Sequence, residues 1–200
     1  PQVRESLAVS DSRLAAAAVA AGEADVGFVG ERPAASPLAV QEIAEDELVL
    51  VVSREHPLAQ KGTLTLKQLC REPLIVREPG SGTRGCVERA LEAQGMAAAD
   101  LTIVMEVNNN DAIRRAVERG VGMAFFSRGA LRQARRLVPL KVRGLQLRRQ
   151  LYVIRDRRRR LSPAADEFLQ FLDQWRTHPA SRRGTAAPRR RKTRAEPGRL

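Results

Sequence analysis

Two hundred residues, 43% of them hydrophobic, suffice to bury a core as one domain or two small lobes, and no apolar run approaches the ~20 residues that cross a bilayer. The net charge of +12 is unevenly spread: eight Lys or Arg against Glu196 give residues 181–200 a charge of +7 and leave +5 for the first 180. A spanning segment is thus excluded, and no signal-peptide apolar region is visible, so a cytoplasmic chain without membrane partners is expected. Residue 1 is proline rather than methionine, which leaves a processed or longer parent open. Cys70 and Cys86 are too few for a disulfide framework and lack the spacing or histidine neighbours of a zinc site. They read as buried free thiols, and neither a metal nor a cofactor is expected.

In chain order, Ser6–Val9 reads as a short strand. Ser10, Asp11 and Ser12 then offer capping side chains ahead of a helix over Leu14–Val19, which Gly22 ends. Ala24–Gly30 is an apolar strand of the kind buried in parallel sheets, and the strand-helix-strand unit predicts such a sheet. After a proline-containing connection, Leu38–Val40 and Leu48–Val52 flank the acidic segment Glu42–Glu47, where the chain is expected to cross between lobes. His56-Pro57-Leu58 makes a turn, Leu64–Leu69 a short helix, and Leu74–Val76 a strand.

The stretch Arg77-Glu78-Pro79-Gly80-Ser81-Gly82-Thr83-Arg84 follows that strand and leads into a helix over Gly85–Gln94, stopped by Gly95. Two glycines let backbone come close to a ligand, Ser81 or Thr83 can cap, and the first-turn N–H groups of such a helix attract anions. Arg77 and Arg84 flank it with fork-shaped donors suited to carboxylate, sulfate or phosphate. An ordinary capped turn with solvated arginines accounts for the same residues. Leu101–Val107 is the next strand, and Asn108–Asp111 caps a helix over Ala112–Arg119. Ala18-Val19-Ala20-Ala21-Gly22 is echoed by Ala116-Val117-Glu118-Arg119-Gly120, and Gly27-Phe28-Val29 by Met123–Phe126, which suggests two similarly built halves around a shared cleft.

Leu151–Ile154 is a last strand, followed by the basic turn Arg155–Arg160. Ser162-Pro163 then starts a helix with a cap and a proline at its first position, carrying Phe168, Leu169, Phe171, Leu172 and Trp175 and expected to return to the first lobe. Residues 178–200, with the run Arg189-Arg190-Arg191-Lys192, have the composition of a disordered basic tail that can touch nucleic acid without sequence preference.

The order of Gly22–Phe28, Leu48–Val51 with His56–Ala59, Arg77–Arg84, Ala112-Ile113 with Val117–Gly122, and Ser162–Ala165 with Phe168-Leu169 resembles the effector-binding domain of LysR-type transcriptional regulators. The likeness covers about residues 3–176, and the Arg77–Arg84 version is similar to the branch of cysteine-regulon and carbon-fixation regulators. It implies an α/β, two-lobed periplasmic-binding-protein-like (type II) domain with mixed sheets, lacking the first strand and helix of lobe one. Lobe one would be residues 1–45 plus 157–177, and lobe two residues 46–156. A small anionic metabolite would lie in the interlobe cleft against Ser10, Ser12, Arg77, Ser81, Gly82, Thr83, Arg84, Asn109 and Ser127. Of the asparagines ahead of the second-lobe helix, Asn109 is favoured for the ligand, in the family position of a small hydroxyl residue. The resemblance also implies a homo-oligomeric parent, and DNA bound through a winged helix-turn-helix that this stretch does not contain. Asp11 departs from the pattern, since it stands where a second anion would be repelled unless it merely caps its helix or the effector also carries a cation.

Two rival functions remain. Gly80, Gly82 and Gly85 satisfy G-x-G-x-x-G, with Glu106 near the place of a ribose-binding acid, as in a dinucleotide-binding oxidoreductase. Against it, Arg77-Glu78-Pro79 separates strand from first glycine, and His56 and His178 read as surface residues rather than catalytic bases. No nucleophile elbow, H-E-x-x-H or paired-carboxylate motif is present, so no catalytic residues are expected. The solute-binding protein of a transporter shares the architecture, and an upstream leader would distinguish it.

Overall fold

The computed structural model describes residues 5–34 and 37–177. In chain order these form α1 (Ser12–Ala21), β1 (Gly27–Val29), β2 (Leu38–Ser53), β3 (Thr63–Leu64), α2 (Leu66–Leu69), β4 (Leu74–Arg77) and α3 (Gly82–Glu92). There follow β5 (Ile103–Val107), α4 (Asn110–Glu118), β6 (Ala124–Ser127), β7 (Leu137–Val142), β8 (Leu147–Asp156) and α5 (Pro163–Thr177). The main sheet runs β1-β8-β2-β7-β3 with β6 also on β2, while β4 and β5 make a parallel pair joined to the approach of β6 through a Leu74–Met123 bridge.

The long antiparallel pair β2 and β8 is the spine, with a bulge between Glu42 and Ala44. Side chains alternate across a strand. Leu48, Leu50 and Val52 therefore enter a core with Leu74, Val87, Leu91 and Met123, while Val49 and Val51 enter another with Ile75, Ile113, Val117 and Phe126. That two-sided burial is why Leu48–Val52 is uninterruptedly apolar. A smaller core of Val19, Val29, Leu38 and Ile154 lies where α1 packs on β1 and β8.

Several sequence expectations change. Ser6–Val9 is in no ladder, and Leu7 and Val9 are exposed, so α1 does not link two parallel strands. Instead β1 pairs antiparallel with β8. The acidic Glu42–Glu47 segment is a part of continuous β2, because basic β8 lies opposite: Asp46 faces Arg149 and Glu47 faces Arg148. β8 therefore extends beyond Leu151–Ile154, and β7 escaped the sequence reading because Pro139 and Lys141 interrupt its apolar pattern. Lobe two is expected from the sequence to run to residue 156, but Tyr152–Ile154 pair with β1 and Ile154 packs in one core with Val19, Val29 and Leu38, so this end of β8 sits with the elements expected in lobe one. In the helix over Pro163–Thr177, Phe168 meets Phe28 of β1 edge to face at 6.1 Å. The basic tail from 178 lies outside the described residues.

The suggested halves hold as local structure. Gly22 and Gly120 both take left-handed backbone just past a helix, each ahead of a strand, β1 or β6.

Candidate functional site

Three helix N-termini come from the polar clusters read in the sequence, and each is finished differently. At α1, Asp11 is the cap: its buried Oδ1 accepts the N–H of Arg13 at 2.8 Å and of Leu14 at 2.9 Å. Ser12 Oγ accepts the N–H of Gly30 at 3.1 Å, tying the helix to the end of β1, and Ser10 Oγ donates to the Asp11 carbonyl at 3.4 Å. At α4, Asn109 is the cap, accepting the Ala112 N–H at 3.0 Å. Asn110 accepts from Arg77 Nη1 at 2.8 Å, so the structure gives the cap to the asparagine favoured for the ligand.

At α3 neither expected cap forms. Ser81 is buried at the N-cap position but makes no capping hydrogen bond, which leaves the first-turn N–H groups without a side-chain acceptor. The reason for glycine on either side is close approach. Gly80, at φ +94°, would set a Cβ 3.0 Å from Asp11 Oδ1, and Gly82 would set one 2.7 Å from the Gly30 carbonyl carbon. The β4–α3 loop is thereby pressed against the first lobe at α1 and at the end of β1.

Arg77 and Arg84 are not free anion receptors. Arg77 holds Glu78 with two hydrogen bonds of 2.7 Å, and this pairing keeps the Glu78 carboxyl below the usual range. Arg84 donates to Glu88 at 2.7 Å, Glu106 at 2.6 Å and the Arg77 carbonyl at 3.1 Å. Glu106, the acid of the dinucleotide reading, is therefore spent on Arg84.

The cation that does reach the predicted hydroxyls is Arg149, a residue the sequence reading missed. Its Nη1 donates to Thr83 Oγ1 at 3.1 Å and its Nε to Asp46 Oδ2 at 3.0 Å, while Ser127 Oγ donates to Asp46 Oδ1 at 2.7 Å. Asp46 is buried and Arg149 nearly so. Thr83, Arg149, Asp46 and Ser127 thus form one chain of hydrogen bonds across the β2–β8 spine, beside the uncapped start of α3. On either side, Glu45 holds Arg148 at 3.0 Å and Glu47 holds Arg128 at 2.6 Å. The available signal was the acidic run 45–47 matched by Arg148-Arg149, which becomes legible only once the register is known.

The cysteines are free, and burial pushes both thiols up, which makes them poor thiolates. Among the described residues no cluster of three or more His, Cys, Asp or Glu could hold a metal ion, and no helix is long and apolar enough to cross a membrane.

The family model described as "LysR substrate binding domain" matches residues 1–176. The chain belongs to this family. It is 34% identical over 151 residues to the HTH-type transcriptional activator CmpR of Synechocystis, a match covering 74% of this chain and 49% of that protein. It is also 38% identical over 173 residues to the phosphonates import ATP-binding protein PhnC of Anaeromyxobacter dehalogenans, covering 85% of this chain and 34% of that one. The chain thus spans between a third and a half of these two relatives. In structure it is similar to the regulatory domain of Synechocystis CcmR in complex with 2-PG: TM-score 0.76, 28% identity, 87% of this chain and 84% of that one. LysR effector-binding domains share the type II periplasmic-binding-protein-like fold, so the two-lobed α/β architecture with mixed sheets is confirmed.

Proposed function

We propose that this chain is the sensing domain of a LysR-type transcriptional regulator. It takes a small anionic metabolite between its lobes, at the start of α3, and acts on DNA through a separate helix-turn-helix segment of a homo-oligomeric, cytoplasmic parent. The observation that carries the reading is the uncapped first turn of α3 beside the Thr83–Arg149–Asp46–Ser127 chain. Backbone N–H groups at a helix start, hydroxyls and a sheltered guanidinium together make an anion receptor without any catalytic group. Ser10 and Ser12 line the facing edge, with Gly80 and Gly82 keeping side chains out of the gap. Asp11 occupies the N–H groups of α1, so that helix start adds no second anion site. Arg77, Arg84 and Asn109 then act as supports of the loop and of α4 rather than as direct ligands.

Two similarities support a phosphorus-type oxyanion. One matched relative is named for phosphonates, and the CcmR domain is in complex with 2-PG. Calorimetry against phosphate monoesters, sulfate and dicarboxylates tests the reading. Thr83→Val should weaken the anion that binds by about 1–3 kcal/mol, through loss of a hydroxyl and of an Arg149 partner. Tight NAD binding with no small-anion binding would return the argument to the Gly80–Gly85 dinucleotide reading. Fluorescence anisotropy with promoter and random duplexes should show only weak, salt-sensitive DNA binding by this chain, lost on removing residues 181–200. Salt-resistant, sequence-selective binding would overturn that assignment.

A further inference from the structure

A polar cavity of about 480 Å³ opens where the exit of β1 faces the later turns of α3 and the edge of β8. Its size lies within the usual range for small-metabolite pockets. None of the nine cleft residues expected from the sequence lines it. Its walls bring together Arg32 from the first lobe, Arg89 from α3, and Arg148 and Arg149 from β8, with Glu31 as the one acidic side chain and Tyr152, Gln146 and Gln150 as neutral hydrogen-bonding groups.

The four arginines differ in what already holds them. Arg149 is locked to Asp46 and Thr83, and Arg148 leans on Glu45 at 3.0 Å in an exposed pair. Arg89 pairs with Glu31 at 2.5 Å across the lobes, with side chains 56% and 37% exposed. Arg32 is exposed and in no ion pair among the described residues. Exposed ion pairs contribute little, because water and salt compete for both partners. The Arg89–Glu31 contact is therefore readily exchanged for a ligand that brings more charge than one carboxylate. Arg32 and Arg89 enter the cavity from different lobes, so a dianion is the species that can engage both guanidinium forks at once.

We infer that this cavity is a second anion site, adjoining the cleft at α3's first turn and sharing only Arg149 with it. It takes a compact dianion, carried either as one phosphate monoester or as two carboxylates. Its occupant displaces Glu31 from Arg89 and bridges Arg32 of the first lobe to Arg89 of the second. An ion pair internal to the protein is thus replaced by a ligand-mediated one, and occupancy of this cavity alters how the lobes are tied together beside the first site.

The test uses the full chain, with inorganic phosphate and malate as separate probes and sodium chloride of matched ionic strength as control, followed by calorimetry and by NMR of backbone and arginine side chains. Phosphate, malate or both should shift Glu31, Arg32, Arg89 and Ala90, and the responding probe identifies the dianion class. Arg89→Ala and Arg32→Ala should each weaken that event by about tenfold or more, the loss of a charge-assisted hydrogen bond. Glu31→Gln should strengthen it severalfold by removing the internal competitor, a gain that a misfolded variant does not give. The inference is overturned if neither probe shifts these residues, if chloride shifts them equally, or if the arginine variants bind as the native chain does. Persistence of this event with no anion response at Ser12, Thr83 and Ser127 would instead sink the cleft reading and leave the second site standing.

Discussion

The two lobes are finished to different degrees. In lobe two, β2 is covered on both faces, by α3 and its neighbours on one side and by α4 on the other, and Leu50, Val51, Val52, Leu91, Met123 and Val117 are shut off from water, although the outer strand β5 leaves Ile103, Val104 and Met105 exposed. In lobe one the buried set is Val19, Val29, Leu38 and Ile154, while Leu14, Phe28, Phe168, Phe171 and Trp175 keep much of their surface in solvent. A strand sandwiched between helices gains burial from every residue, whereas one covered on a single side gains from every other residue. The candidate site lies on the seam, its Thr83, Asp46 and Ser127 on the well-covered side and Ser10 and Ser12 on the open one. An effector bound there, as proposed, would fasten a lightly packed element to a firm one.

Core truncations should break this contrast if it is wrong. Leu91→Ala removes a fully buried side chain of α3 and should cost about 2–5 kcal/mol. Ile154→Val in the lobe-one core should cost about 0.5–1.5 kcal/mol. Urea unfolding of both variants measures this, and a larger loss from Ile154→Val would mean that lobe one carries the stability. Next in size is the α1 cap. Asp11→Ala should lower stability by about 0.5–2 kcal/mol, with Asn109→Ala in the same range at α4. If α1 is as lightly held as its surroundings imply, hydrogen exchange after Asp11→Ala should rise in 12–21 alone, whereas exchange spreading to α3 would show that the lobes unfold together.

A smaller effect is expected in acid. At the lobe-one end of β8, hydrogen bonds from the Arg158 side chain and backbone hold the Asp156 carboxyl at about 2. An unfolded Asp titrates near 3.9. Between these values the unfolded chain binds the proton more tightly, so the contribution is complete above about pH 4 and is lost as pH falls toward 2. Asp156→Asn should flatten that part of the stability–pH curve, and an unchanged slope would show that the pair contributes nothing. Smallest of all should be Phe171→Ser. The residue is 61% exposed, so stability should move by less than about 0.5 kcal/mol while solubility improves, and a large loss would reveal a cover over this face.

Much of this was legible in the residues because it is local. Asp11 ahead of an alanine-rich run, Gly22 at a helix end, the glycine-flanked start of α3, and Ser162-Pro163 at the last helix each act through hydrogen bonds or backbone angles within a few positions. Their order along the chain was enough to point to the family. Tertiary structure decided which partner holds each charge. Arg77 and Arg84, adjacent to the motif, are tied to Glu78, Glu88 and Glu106, and the cation at the hydroxyls comes instead from Arg149, 66 residues beyond Thr83. A guanidinium's partner depends on which strand lies opposite and in what register, and facing residues of β2 and β8 such as Asp46 and Arg149 stand 103 positions apart in the chain. Capping is decided by neighbours in sequence, whereas ion pairing at a lobe junction is decided by neighbours in space.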